Sequence, residues 1–202
     1  MRKIYLLLIP FVALAIFARN IPFFSFDLTI TQYVQNFHTS VFDLLMKAVS
    51  SVGYGRIMPF ALVSLVTIIS FLNLKIEALY LLVSSVTSFM AGSLTKLLVD
   101  RPRPGSDIVA IYKEFADNSF PSSHTLTYTV IFGFLIYVAA TKLKPSWQKY
   151  TILGISSFLV ATIGLSRIYL GAHWASDVLG GYLLGGFWLL LTVNIYQAHV
   201  QR

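Results

Sequence analysis

Six blocks of apolar residues dominate this chain of 202: Ile4 to Ala18, Ile57 to Leu72, Ala78 to Val99, Thr125 to Ala140, Tyr150 to Leu165 and Val178 to Ile195. Each approaches the roughly 20 residues that a helix needs to cross a hydrocarbon core. Backbone in lipid must satisfy its own hydrogen bonds, so such blocks predict helices. Composition agrees, with 56% of residues hydrophobic and 11% charged, against about 25% charged in soluble domains. The expected fold class is all-α: a polytopic membrane protein with a six-transmembrane-helix bundle, a single domain over residues 1–202. No internal repeat or appended soluble domain is read. Arg2 and Lys3 ahead of the first block also give it the layout of a signal peptide; it is read as a retained spanning helix.

With no cysteine, the chain has no disulfide, thiolate metal site or cysteine nucleophile, which leaves Ser, His, Asp, Lys or Tyr for covalent chemistry. The net charge of +7 reflects basic loops in a polytopic chain, and nucleic acid is not an expected partner. Six spans put Arg2, Lys3, Lys75, Lys142, Lys144, Lys149 and Arg202 on one side, in short loops and tails. The other side carries eight basic residues in longer segments, with seven of the eight acids. Because the basic bias acts through short loops, both termini are expected in the cytoplasm. The segments Arg19 to Arg56, Asp100 to Ser123 and "SRIYLGAHWAS" then face outside the cytoplasm.

Between the first two spans, Ile30, Val34, Phe37, Val41, Leu44 and Ala48 recur at spacings of four and three, which puts them on one helical face. An extracytoplasmic interfacial helix is expected, or two broken near His38 to Ser40, acting as a packing lid over the bundle and not in catalysis.

Ionisable residues beside spans mark function, and three clusters stand out. The first is "KLLVDRPRPG", with Lys96 near a helix end and Arg101 and Arg103 each followed by proline, which ends the helix and stiffens the exit. Basic side chains at such a place also snorkel to headgroups. The second is "SFPSSHTL", where Pro121, Ser122 and Ser123 start a helix whose free N–H groups favour an anion, with His124 in its first turn. In the third, "SRIYLGAHWASD", His173 and Asp177 lie four apart, so the carboxylate can orient the imidazole. Arg167 there adds a cation suited to bidentate phosphate contacts. Taken singly, His124 reads as a satisfied interfacial histidine, and His173 with Asp177 as a pair tying a loop to a helix end. The six-span topology brings all three clusters to one mouth of the bundle, which makes a site for a phosphate ester.

In order and spacing these residues resemble the signature motifs of the type-2 phosphatidic acid phosphatases, K-x6-R-P, P-S-G-H and S-R-x5-H-x3-D, a superfamily that also includes vanadium haloperoxidases. Lys96 with Arg103 and Pro104 fits the first motif, and Ser166, Arg167, His173 and Asp177 fit the third. Pro121, Ser122 and His124 fit the second, but Ser123 stands where the family most often has glycine, which bears on how closely the backbone can approach a phosphate.

The resemblance implies a lipid phosphatase with a phosphohistidine mechanism, no cofactor and no metal. His173 would be the nucleophile, Asp177 its orienting carboxylate and His124 the general acid. Lys96, Arg103, Arg167, Ser122 and Ser123 would hold the phosphate. Arg101 falls outside the signature and is expected at a second phosphate or at lipid headgroups. The expected partner is a phospholipid or polyprenyl phosphate, with phosphatidylglycerophosphate first and undecaprenyl diphosphate as the rival. A headgroup-binding or transport protein is the non-enzymatic alternative, and it gives no reason for pairing His173 with Asp177.

Overall fold

The computed structural model describes residues 4–55 and 57–201; Arg2, Lys3, Arg56 and Arg202, used in the charge comparison above, lie outside them. Among the described residues every regular element is helical. A 3-10 turn, Ile4–Leu7, leads into α1 (Leu8–Asn20), followed by α2 (Ser25–Gln35), α3 (Ser40–Ser51), α4 (Ile57–Phe71), α5 (Lys75–Val99), α6 (Ser123–Lys142), α7 (Trp147–Tyr169) and α8 (Ala175–Val200). All six apolar blocks are therefore helical. By length and composition α5, α6, α7 and α8 can each cross a membrane; the stretch Ile4–Asn20 joined to α2 through a 92° bend adds a fifth candidate. Helix α4 is apolar throughout but has 15 residues.

Local chemistry sets the helix ends. Thr39, Ser122 and Ser146 cap α3, α6 and α7, their hydroxyls accepting from the N–H groups of Phe42, Thr125 and Lys149. At α2 and α8 the third residue does this work: Asp27 and Asp177 accept from the backbone N–H of Phe24 and Trp174. Helix α5 stops at Asp100, in the left-handed region at φ 53°, and Pro102 prevents its resumption. Gly171, at φ 64°, ends α7 where a Cβ would strike the carbonyl of Ala110.

Helix α6 is the axis of the molecule, packed by α5, α7 and α8, and Thr125 to Phe132 are all buried, as expected of a helix surrounded on every side. Helix α8 approaches it through Gly181 and Gly185. A Cβ on Gly181 would lie 2.8 Å from the carbonyl oxygen of Ser122, and one on Gly185 2.9 Å from Cβ of Thr129. Small residues spaced by four let membrane helices meet this closely. Large apolar side chains such as Ile9, Phe60, Phe71, Met90 and Leu97 point outward, while Ser84, Ser85 and Ser88 turn inward and donate to carbonyls of their own helix.

The segment between α1 and α4 forms two helices with a break over residues 36–39. It packs on α7 and α8, with most of the periodic apolar residues facing outward. Ile30, Phe37, Val41 and Leu44 are exposed, whereas Asp27 and Thr31 of α2 and Met46, Val49 and Ser50 of α3 are buried. Asp27 turns inward to pair with buried Arg101 and Ser50 to accept from buried Arg167, cations that need carboxylate and hydroxyl partners, while Met46 and Val49 pack into apolar clusters beside them.

Candidate active site

The C-terminal end of α7, the N-terminal end of α6, the start of α4, the middle of α5, the α3–α4 turn and the loops leading into α6 and α8 line one cavity of 460 Å³. Arg103, Ser123, His124, Arg167 and His173 line its polar end; Met58, Leu62, Val86, Phe89 and Ile131 line the rest. All three sequence clusters thus contribute to a single site. Helix α5 contributes Ser85, Val86 and Phe89 to its wall, about 6 Å of helix at 1.5 Å per residue, while Lys96, two turns further on, does not line it.

His173 lies in the turn between α7 and α8 and is buried. Nη1 of Arg103 lies 3.1 Å from its Nε2. Arginine can only donate, so Nε2 carries the lone pair and the ring proton resides on Nδ1. That nitrogen faces Asp177 Oδ2 at 3.7 Å and the hydroxyl of Ser119 at 3.4 Å, which itself donates to Asp177 Oδ2 at 2.5 Å. The expected His173–Asp177 pairing is present, with Ser119 set beside it. Burial, reinforced by the cations of Arg103, Lys96 and Arg167 and by His124, pushes the His173 imidazolium well below its usual range near 6.5. This shift favours the neutral ring at pH 7.

Arg103 also donates to the carbonyls of Asp117 and Ala172 at 2.8 and 2.5 Å and pairs with Asp117 Oδ1 at 2.6 Å. Lys96 is buried beside it, with Nζ 3.2 Å from the other oxygen of Asp117 and bonded to the carbonyl of Asn118. Burial raises the Asp117 pKa, but Lys96 and Arg103 more than offset it and leave the carboxyl below its usual value. Arg167 is fully buried, held by the hydroxyls of Ser50 and Tyr54 at 3.0 and 2.9 Å. The rings of Phe115 and Tyr54 pack against the cations: Arg103 lies 4.7 Å and Arg167 5.2 Å from the Phe115 centroid, and Arg167 5.4 Å from that of Tyr54.

His124 faces the same cavity, with Tyr54 edge-on at 5.1 Å and the bare backbone of Gly53 so near that a Cβ there would overlap its ring. Among the described residues, His124 Nε2, Arg167 Nε and Trp174 Nε1 are buried without a hydrogen-bond partner, and the first two lie at the cavity. Orphaned polar atoms of this kind require an explanation, and the shared cavity supplies one for the histidine and the arginine. A tetrahedral oxyanion would accept from the arginine and meet the histidine.

Not every expected residue reaches the cavity. Ser123 lines it, whereas the Ser122 hydroxyl is buried as the α6 cap and accepts from Thr125 Oγ1 at 3.0 Å. Ser166 fastens α7 to α3, donating to the carbonyl of Met46 at 2.6 Å and lying 3.0 Å from the Ser50 hydroxyl. Arg101 is a correction. It is fully buried and paired with Asp27 at 2.9 Å and Asp177 at 2.6 Å, not at headgroups, because two carboxylates at helix N-termini leave room for a guanidinium between them. Sequence reasoning missed Tyr54, Phe115, Asp117 and Ser119. The Gly53-Tyr54-Gly55 turn was the one visible signal, since paired glycines announce a close backbone approach.

Comparison with known proteins gives the family and the fold. Residues 77–201 match the PAP2 superfamily, a range that holds all three motifs. Phosphatidylglycerophosphatase B of Bacillus subtilis is 32% identical over 130 residues, covering 62% of this chain and 61% of that protein. Undecaprenyl-diphosphatase of Sulfolobus acidocaldarius is 29% identical over 203 residues, 96% of this chain and 93% of its own. In three dimensions the chain is similar to the crystal structure of a transmembrane PAP2-type phosphatidylglycerolphosphate phosphatase from Bacillus subtilis, with a TM-score of 0.83, 22% identity and 98% of each chain covered. The chain belongs to the PAP2 superfamily.

Proposed function

We propose that this chain is a multi-pass membrane lipid phosphatase that hydrolyses the phosphate monoester of phosphatidylglycerophosphate through a phosphohistidine on His173, without a metal. The observation that carries the reading is the division of one cavity into a cationic end holding two histidines and an apolar length between α4, α5 and α6. A lipid phosphate has the same division. Its headgroup satisfies Arg103, Arg167, Lys96 and Ser123, and its tail stays among apolar side chains. The bundle then has six spans, α4 included, with α2 and α3 at the outer interface, both termini in the cytoplasm and the site on the outer side.

In the reaction Nε2 of His173 attacks phosphorus in line, and the bond from phosphorus to the lipid oxygen breaks as His124 gives that oxygen a proton. Asp177 and Ser119 hold the Nδ1 proton and support the positive ring. Arg103 leaves the nucleophile's lone pair for the phosphoryl oxygens, and fixed cations stabilise the charge that spreads over them. Water, losing a proton to His124, then attacks the phosphohistidine, which releases phosphate and frees His173. Three protein cations stand around the phosphate position, where a metal-dependent phosphatase would use its ions.

A second reading, undecaprenyl-diphosphate hydrolysis, is favoured by the relative that aligns along 96% of the chain. Phosphate release from phosphatidylglycerophosphate, phosphatidate and undecaprenyl diphosphate, with and without a chelator, ranks the substrates. Highest kcat/KM on phosphatidylglycerophosphate, unaffected by chelation and abolished in His173→Ala, is the expected result. Wild-type turnover in that variant sinks the mechanism, and loss of activity on chelation sinks its metal independence.

A further inference from the structure

Arg101 and Asp27 are both fully buried and have no part in the chemistry above. Asp27 is the third residue of α2, as Asp177 is of α8, and each carboxylate already accepts from the backbone at its own helix start. Arg101 lies between them, donating through Nη2 to Asp27 Oδ2 at 2.9 Å and through Nη1 to Asp177 Oδ1 at 2.6 Å. Its Nε is held by the carbonyl of Pro22 at 3.0 Å. Ser176 completes the unit. Its hydroxyl accepts from Arg101 Nη1 at 2.7 Å and donates to Asp27 Oδ2 at 2.7 Å, and its N–H donates to Asp27 Oδ1 at 2.8 Å.

Removing three charges from water is costly, and an apolar substitute of the same shape is often as stable. A stability role alone therefore explains the unit poorly. Its geometry explains it better, because Arg101 occupies Oδ1 of Asp177 and leaves Oδ2 to Ser119 and the nucleophile's side. The second carboxylate divides the guanidinium's charge, so Asp177 is held in place without being neutralised.

We propose that Asp27 and Arg101 are positioning residues for the reaction at His173, with α2 acting through them to fix the orientation and charge of Asp177. The proposal rests on the phosphatase reading above. Without the Asp27 charge, Arg101 has Asp177 as its one carboxylate within this unit and draws it away from the histidine. Without Arg101, two buried carboxylates face each other across Ser176.

The test is steady-state lipid phosphate hydrolysis by the full chain in detergent, with kcat expressed per folded enzyme and melting followed in parallel. Asp27→Asn, close to isosteric, is expected to lower kcat about 10- to 100-fold, the worth of one hydrogen bond to a charged group, while KM stays within about threefold. Arg101→Gln should lower it further. The double variant Asp27→Asn with Arg101→Gln, which restores the net charge of the unit, should exceed Arg101→Gln alone, a departure from additivity expected of one network. Wild-type kcat in folded Asp27→Asn, with only a lower melting temperature, overturns the proposal and leaves a structural clamp. If Arg101→Gln does not fold, the kcat and KM of Asp27→Asn decide alone. Absence of hydrolysis by the unaltered chain strikes the phosphatase reading instead, so the two failures are distinguishable.

Discussion

Each ring nitrogen of His173 has one kind of neighbour, a guanidinium at Nε2 and hydroxyl with carboxylate at Nδ1, and this fixes the tautomer before substrate arrives. The same neighbours set its titration. Burial is the largest influence and the Arg103 cation the next, both disfavouring imidazolium. Under the proposed mechanism His173 must be neutral to attack and loses activity as pH falls through its pKa, so in the wild type this acid limb of kcat/KM is expected below pH 6.5. Arg103→Gln removes a cation 3.1 Å away, makes protonation easier and should move the limb to higher pH, along with a lower kcat/KM from the lost phosphate contact. A pH–rate profile of the two proteins checks this; a limb that stays or moves lower contradicts the assigned electrostatics.

At the level of elements, the site depends on how closely α8 lies against α6, since that contact places Asp177 near the turn bearing His124. Gly181 makes the approach possible: its missing Cβ would meet the backbone carbonyl of Ser122 at 2.8 Å and Cβ of Thr129's neighbour on the turn below, Thr125, at 2.9 Å. Neither atom can move without shifting the start of α6. Gly181→Val is expected to cost at least about 1–3 kcal/mol through overpacking and to reduce kcat, read by thermal melting and phosphate release. Gly154 of α7, which has open space around it, supplies the control. Gly154→Val should leave activity at the wild-type level, and equal damage from both substitutions would show that helix approach is not the cause.

Across the whole molecule, the 460 Å³ cavity joins a polar end made by loops and helix ends to an apolar length made by three helices. If the tail lies there, Leu62→Trp should raise KM for a long-chain lipid phosphate about tenfold or more, at about 0.8 kcal/mol for each methylene displaced, and leave a short-chain soluble ester unaffected. Equal effects on both substrates would place the tail elsewhere. The sequence by itself determined the helical class and the position of each apolar block, because hydrocarbon admits few backbone solutions. It also determined the motif residues, whose chemistry and spacing were legible in linear order. Tertiary structure decided the rest. Which face of α2 turns inward followed from a buried arginine far along the chain, and no periodicity in α2 could announce that partner. Arg101 read as a surface cation and became a buried clamp, Ser122 became a cap, and Asp117, Tyr54 and Ser119 joined the site. Their roles come from neighbours distant in sequence, and a charge or hydroxyl has no fixed meaning until folding has chosen what surrounds it.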